Sequence, residues 1–351
     1  MHMADALISP AVGGIMYAAS AASIAYSTVK IKKDNLCEKK VPIMGVAGAL
    51  VFAGQMINFT IPATGSSGHI GGGILLAGLI GGPAALLALA AVLIIQCLFF
   101  ADGGLLALGC NIFNMGVIPC LVIYPLLFKR IIAKGLNYKS VTIAAIVSVV
   151  VGLQLGAFGV VLETKASGIT ELPFGAFVAL MQPIHLAIGV VEGIVTAAIL
   201  CYVHGARPEI LESTASGKSI GKGVATKKVL AVLIAVTVAT GGLLALFASG
   251  NPDGLEWAIG NVYDSEDVES GLGEFEEAET GSAGASDAIL GTTAFLPDYG
   301  FKVDEGEESP VIGTTVSGIV GGALTLVLAG GVGLIISRAK QRRQNETTTP
   351  V

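Results

Sequence analysis

Ile70-Gly71-Gly72-Gly73-Ile74-Leu75-Leu76-Ala77-Gly78-Leu79-Ile80-Gly81-Gly82 is an apolar run of 13 residues that stops against Pro83. A helix rises about 1.5 Å per residue, and about 20 apolar residues are needed to span the hydrocarbon core of a bilayer. The run therefore reads as a half-length or broken helix, rich in glycine. Non-helical backbone is tolerated at membrane depth only inside protein or beside a cavity. A broken segment directly after His69 points to a site, and whether it counts as a crossing decides the topology of the chain.

Apolar residues make up 53% of the 351 residues and charged residues only 13%, against about 25% charged in a soluble domain. This is the composition of a polytopic membrane protein. Longer apolar runs near 10–29, 41–60, 83–100, 105–128, 139–162, 174–203, 229–248 and 312–337 are each expected to cross lipid. The first nine residues carry no basic n-region, so no cleaved leader is expected. Five cysteines (Cys37, Cys97, Cys110, Cys120, Cys201) show no paired spacing and read as buried structural thiols.

Charge sets the orientation. Lys30, Lys32, Lys33, Lys39 and Lys40 follow the first run; Lys129, Arg130, Lys134 and Lys139 precede the run at 139. Arg207, Lys218, Lys222, Lys227 and Lys228 precede the run at 229, and Arg338, Lys340, Arg342 and Arg343 sit on the tail. Placing these four regions in the cytoplasm leaves only Lys165 and Lys302, of 20 basic residues, outside. That works only if 70–82 is a crossing. The expected fold is an all-α polytopic membrane protein. A seven-crossing bundle with an extracytoplasmic N-terminus is followed by two further transmembrane helices flanking an acidic loop, in the inner cell membrane with the C-terminus inside. The expected domains are 1–210, a basic linker 211–228, a second unit 229–337 and a basic tail 338–351. The loop 249–311 holds 16 of the 26 acidic residues. It reads as a solvated, partly flexible spacer, or as a field that draws cations to the mouth of the protein. It contains no His, Cys or Met, so it lacks the donors that select nickel-like ions. Metal binding is expected to survive truncation after about residue 215.

Met1-His2-Met3 at the start of the chain offers three nitrogens from two residues: the terminal amine, the His2 amide and the His2 imidazole. Together they close two fused chelate rings around one ion and fill three corners of a plane. One more imidazole completes a square of four nitrogens, which suits Ni²⁺ or Cu²⁺. His69, in Gly65-Ser-Ser-Gly68-His69-Ile-Gly-Gly-Gly, lies on the same outer side by the charge argument and is the candidate for that corner. Gln96, Asp102, Asn111 and Asn114 spread over the hinge Ala101-Asp-Gly-Gly104 and the helix after it. They orient the ligating imidazoles or bond helices together. His185 and Glu192 share one helical face, as a proton or cation path or as an internal polar bridge. His204, near the cytoplasmic end, reads as solvated. Ser216-Gly217-Lys218-Ser219 ends like a phosphate loop, but Glu212 stands where the first glycine is required. No nucleophile elbow or His-Glu-x-x-His helix appears, so hydrolysis is not indicated.

Met1-His2-Met3-Ala4-Asp5, Ser67-Gly68-His69, Asp102-Gly-Gly104, Leu108-Gly-Cys-Asn111-Ile-Phe-Asn114-Met and His185 through Gly193 together resemble the substrate-binding M component of nickel and cobalt energy-coupling-factor transporters. The resemblance covers residues 1 to about 210. It implies that Met1, His2 and His69 bind the metal, with Ni²⁺ or Co²⁺ as the transported substrate. Ala6 departs from the family's usual glycine, a change that restricts bending of the N-terminal segment without removing a ligand. Residues 229–337, with Asn251-Pro-Asp-Gly-Leu-Glu-Trp257, resemble the small accessory N component, here fused; Trp257 is a candidate anchor at the outer interface. The resemblance implies a transmembrane coupling subunit and ATP-binding subunits as partners, lipid around the bundle, no nucleic acid and no ATPase or other enzyme activity of the chain itself. The competing readings are an intramembrane metalloenzyme using His185 and Glu192, and a metal sensor whose acidic loop recruits a partner. An enzyme needs an open coordination position, whereas a closed nitrogen plane favours carriage.

Overall fold

The structure, a computed structural model, describes residues 2–33, 40–217, 220, 224–265, 282–302 and 312–348. It is mostly helical. The first unit comprises α1 (Pro10–Lys33), α2 (Lys40–Gln55), α3 (Gly73–Ile80), α4 (Gly82–Phe100), α5 (Leu108–Ile132), α6 (Tyr138–Ser167), α7 (Phe174–Ala206) and α8 (Pro208–Ser216). The second comprises α9 (Lys227–Phe247), α10 (Gly254–Ser265), α11 (Ser282–Thr293) and α12 (Ile312–Thr348). Seven of these, α1, α4, α5, α6, α7, α9 and α12, are long and apolar enough to cross a membrane.

Two of the nine apolar runs differ from a simple span. The run 41–60 stops as a helix at Gln55, and the chain enters a two-stranded antiparallel hairpin, β1 (Phe59–Thr60) with β2 (Ser67–Gly68). Asn58, Pro62 and Gly65 supply the turn chemistry there, so the molecule is not purely helical. The run 70–82 yields α3, only 8 residues long and entirely buried. Gly72 (φ 77°) and Gly81 (φ 89°) bracket it in conformations that side chains rarely adopt. A Cβ on Gly72 would also lie 2.5 Å from Val51. Glycine is thus what allows a helix to begin and end within the bundle. In α5 the backbone follows the wider π pattern from Ile112 to Phe128, with Pro119 and Pro125 inside it. Proline cannot donate the usual i→i−4 bond, and a wider turn accommodates the loss.

The second unit packs on the first through small residues. A Cβ on Gly45 would lie 3.0 Å from the Leu326 carbonyl, and one on Gly321 would run into the Phe52 ring. Gly241 and Gly318 bring α9 and α12 into backbone contact, the close approach that holds helices together in lipid. The acidic loop is more structured than a spacer: α10, α11 and a short turn at Pro297–Tyr299 fold within it. Its most acidic stretches, after Ser265 and after Lys302, lie outside the described residues. Segments 2–8, 58–69, 101–107, 249–254 and 294–300 meet at one end of the bundle. Backbone bonds link Gly104 to Met3, Ser67 to Pro252, Ser249 to Asn58 and Leu296 to Phe99.

Candidate metal centre

The N-terminal segment is clasped before α1 begins. Asn111 accepts the Met3 N–H at 2.7 Å and returns its own amide N–H to the Met3 carbonyl at 3.2 Å. Gly104 N–H adds a second bond to that carbonyl, at 2.9 Å. Asp5 accepts the Ala107 N–H at 2.8 Å and opens a single 3-10 turn, Asp5–Leu7, that takes in Ala6. A Cβ on Gly104 would lie 1.8 Å from Asp5, and one on Gly103 would lie 2.8 Å from Asn111. The Asp102-Gly-Gly104 sequence is therefore a backbone groove for residues 3–5. Of the expected second group, Asn111 serves the site through this clasp. Asn114 does not: it donates to Glu163 at 2.7 Å, tying α5 to α6. Glu163 escaped the sequence reading, although a carboxylate inside an apolar span was the signal for it.

His2 leaves this clasp and stacks on His69, with ring centroids 5.1 Å apart and planes 26° from parallel. His2 Nδ1 is 3.2 Å from an Asp102 oxygen, and its Nε2 is buried without a partner. His69 Nδ1 lies 3.1 Å from the Ile70 carbonyl; that bond fixes its proton on Nδ1 and leaves Nε2 with the lone pair a metal takes. Burial lowers the basicity of both rings, with the Asp102 charge partly opposing it at His2, and His69 is pushed down to about 3. Both are neutral near pH 7, the form that ligates. Met1 lies outside the described residues. Among the described residues no group of three His, Cys, Asp or Glu side chains is arranged to hold an ion.

His185 and Glu192 occupy one face of α7, as the spacing predicts, but do different things. His185 Nδ1 bonds back to the Met181 carbonyl at 2.8 Å, and its Nε2 is buried and unpaired. It shares with His69 a cavity of about 10 Å³, lined also by Gly254 and Ile188. Glu192 accepts the Gly71 and Gly72 N–H groups, both at 2.8 Å. A helix start leaves N–H groups without partners; the carboxylate satisfies them and complements the positive end of α3. Of the two roles the sequence left open, the contacts of Glu192 are those of an internal polar bridge. His204, half-buried at the opposite end, meets Tyr138 edge-on. Among the described residues Cys97, Cys110, Cys120 and Cys201 are free thiols, the first three buried.

The Pro252-Asp-Gly-Leu-Glu256 segment has a local physical meaning. Asp253 accepts the Leu255 and Glu256 N–H groups at 2.7 and 3.0 Å, while Glu256 accepts the Asp253 N–H at 3.0 Å. This is a reciprocal capping box that starts α10. The segment seats on the His69 turn. Ser67 N–H donates to the Pro252 carbonyl at 2.8 Å and its hydroxyl to the Asn251 carbonyl at 2.8 Å. Trp257 donates to the Thr64 carbonyl at 2.8 Å, so its indole N–H bonds to protein. A Cβ on Gly254 would stand 3.1 Å from the His185 ring.

Residues 2–210 match the family model described as the cobalt uptake substrate-specific transmembrane region. The chain belongs to that family. Residues 227–338 match a PDGLE domain, so this cobalt-uptake-family member is an M component fused to an N-like domain. An Archaeoglobus fulgidus chain named as a fused nickel transport protein is 31% identical over 93% of this chain and 96% of its own length. A Lactiplantibacillus plantarum chain named as a fused nickel transport protein is 33% identical, covering 66% of this chain and 73% of its own length. A crystal structure of a truncated transition metal transporter superposes with a TM-score of 0.52 at 29% identity, over 59% of this chain and 99% of that one. The chain is a multi-pass membrane protein of metal uptake, of the nickel and cobalt transport group.

Proposed function

We propose that the chain captures Ni²⁺, or Co²⁺, on the extracytoplasmic side in a nitrogen plane. The ligands are the Met1 amine, the His2 amide, the His2 imidazole and the His69 imidazole. The observation that carries this is the convergence of His2 and His69, 67 positions apart in sequence, as stacked neutral rings above a groove that clasps Met3 by its backbone. A fused chelate uses Nδ1 of His2, the atom now facing Asp102; loading exchanges that contact for the ion. The rival enzyme reading loses its dyad, because both Glu192 oxygens are taken by the glycine turn. The whole molecule then comprises seven crossings up to residue 210 and two more around the 249–311 loop. ATP-binding subunits and a membrane coupling subunit supply the energy, and the chain itself hydrolyses nothing. Adding one residue ahead of Met1 tests the site, since it turns the amine into an amide. Titration with Ni²⁺ is expected to show the affinity of the extended chain collapse, as in His2→Ala; unchanged affinity overturns the plane.

A further inference from the structure

We propose that a cavity at the end of the bundle opposite His2 seats the phosphate headgroup of an anionic phospholipid. The cavity measures about 280 Å³ and surrounds the break between α3 and α4. Lys30 of α1, Lys40 of α2 and Lys129 of α5 line it, and none of the described residues in its wall is acidic. Lys40 is only 8% exposed, so its charge stands in the wall, where solvent ions screen it less than in open water. Three ammonium groups around one space repel a divalent cation as they attract a phosphate. The cavity is therefore no second station for the metal.

Two further features of the wall suit a phosphate. α4 starts in it, at Gly82 and Pro83, and the first N–H groups of a helix have no partner within the helix and carry partial positive charge. A Cβ on Gly81 would meet nothing within 4 Å, so the approach to that helix start is open. The hydroxyl of Tyr124, a wall residue only 3% exposed, has no hydrogen-bond partner; a phosphate oxygen supplies the acceptor it lacks. The flanks of the cavity say where the phosphate comes from. Tyr26 and Pro125 in the wall stand three positions from Val29 and Val122, on the same faces of α1 and α5. Val29, Val122 and Leu126 are exposed, so the mouth merges with apolar helix surface that faces acyl chains in a membrane. Basic pockets between membrane helices on the cytoplasmic side bind such headgroups, and this is the end that the basic residues assign to the cytoplasm.

The test uses the full chain in a neutral detergent, with phosphatidylglycerol, phosphatidylcholine and inorganic phosphate as separate probes. Native mass spectrometry counts the lipid retained, and the thermal midpoint reports its hold on the helix ends. Phosphatidylglycerol is expected to stay bound as a single adduct and to raise the midpoint; phosphatidylcholine and inorganic phosphate are expected to do neither. Lys129→Gln is expected to weaken retention about fivefold, the worth of one lysine near an anionic lipid, with a lipid-free midpoint like that of wild type. Lys40→Gln is expected to weaken it further; if burial of that site keeps the variant from folding, Lys129→Gln carries the test. Arg130→Gln, exposed and outside the wall, is expected to retain lipid as wild type does. Equal retention of the two lipids, unchanged retention in Lys129→Gln, or equal losses in Lys129→Gln and Arg130→Gln overturn the site. The same midpoint rise with inorganic phosphate alone overturns the lipid as its occupant.

Discussion

Asn111 illustrates how one side chain sets the geometry of a site without touching its cargo. Its amide matches the donor and acceptor of Met3 as a neighbouring strand would. Asn111→Ala leaves the buried Met3 N–H unpaired, a cost of about 1–3 kcal/mol. If that cost falls on the clasped state, Ni²⁺ affinity drops about tenfold or more, since each 1.4 kcal/mol is a factor of ten. Equilibrium titration checks this; a variant within twofold of wild type would show the clasp to be dispensable. His69 gives a second prediction, in acid. Its pKa is about 3 folded against 6.5 as the unperturbed value. Between these the unfolded chain binds the extra proton, so this contribution to stability is intact above about pH 6.5 and declines as pH falls toward 3. Thermal unfolding of the empty protein between pH 7.5 and 4.5 is expected to show a shallower loss in His69→Asn than in wild type. Equal pH slopes would refute the assignment to this imidazole.

Among the elements, α3 is the one with least means of holding itself. Eight residues are too few for an isolated helix, and its start is fixed by Glu192 and Gly72. Glu192→Ala orphans two buried N–H groups and is expected to cost about 3 kcal/mol or more. Gly72→Ala adds a left-handed residue and a contact with Val51, with a loss of similar size. Both should lower the thermal midpoint of the empty protein, whereas Gly242→Ala, whose Cβ would meet nothing within 4 Å, should not; equal midpoints in all three would discount the capping role. The sequence made α3 legible because glycines and a short apolar length cannot be read as an ordinary span. It also singled out His2, His69 and the Asp102 hinge, which lie side by side in the fold. It could not resolve Asn111 from Asn114, because three-residue spacing puts both on one face while the neighbours that divide their labour, Met3 and Glu163, are far away in sequence. Tyr299 was invisible for the same reason: its partners Gln96 and Asp102 lie about 200 positions upstream.

For the molecule as a whole, the contacts of the fused unit revise one expectation. A loop without His, Cys or Met was expected to leave metal binding indifferent to truncation after about residue 215. Instead the Pro252 and Asn251 carbonyls hold Ser67, two residues from His69. Truncation is now expected to weaken Ni²⁺ binding several-fold and speed its dissociation. Stopped-flow transfer to a chelator measures this, and an unchanged rate would restore the original division of labour.

The linker between Ser216 and Lys227 gives the small-residue seam of Gly45, Gly241, Gly318 and Gly321 a kinetic setting. A covalent tether this short replaces a bimolecular encounter by an intramolecular one, with an effective concentration of order millimolar. The seam can therefore be weak in itself and still be occupied nearly always. Cutting the chain within 218–223 would expose that weakness: occupancy would then follow dilution in the bilayer, and uptake would depend on how many copies of each half the cell makes. Fusion fixes that ratio at one to one.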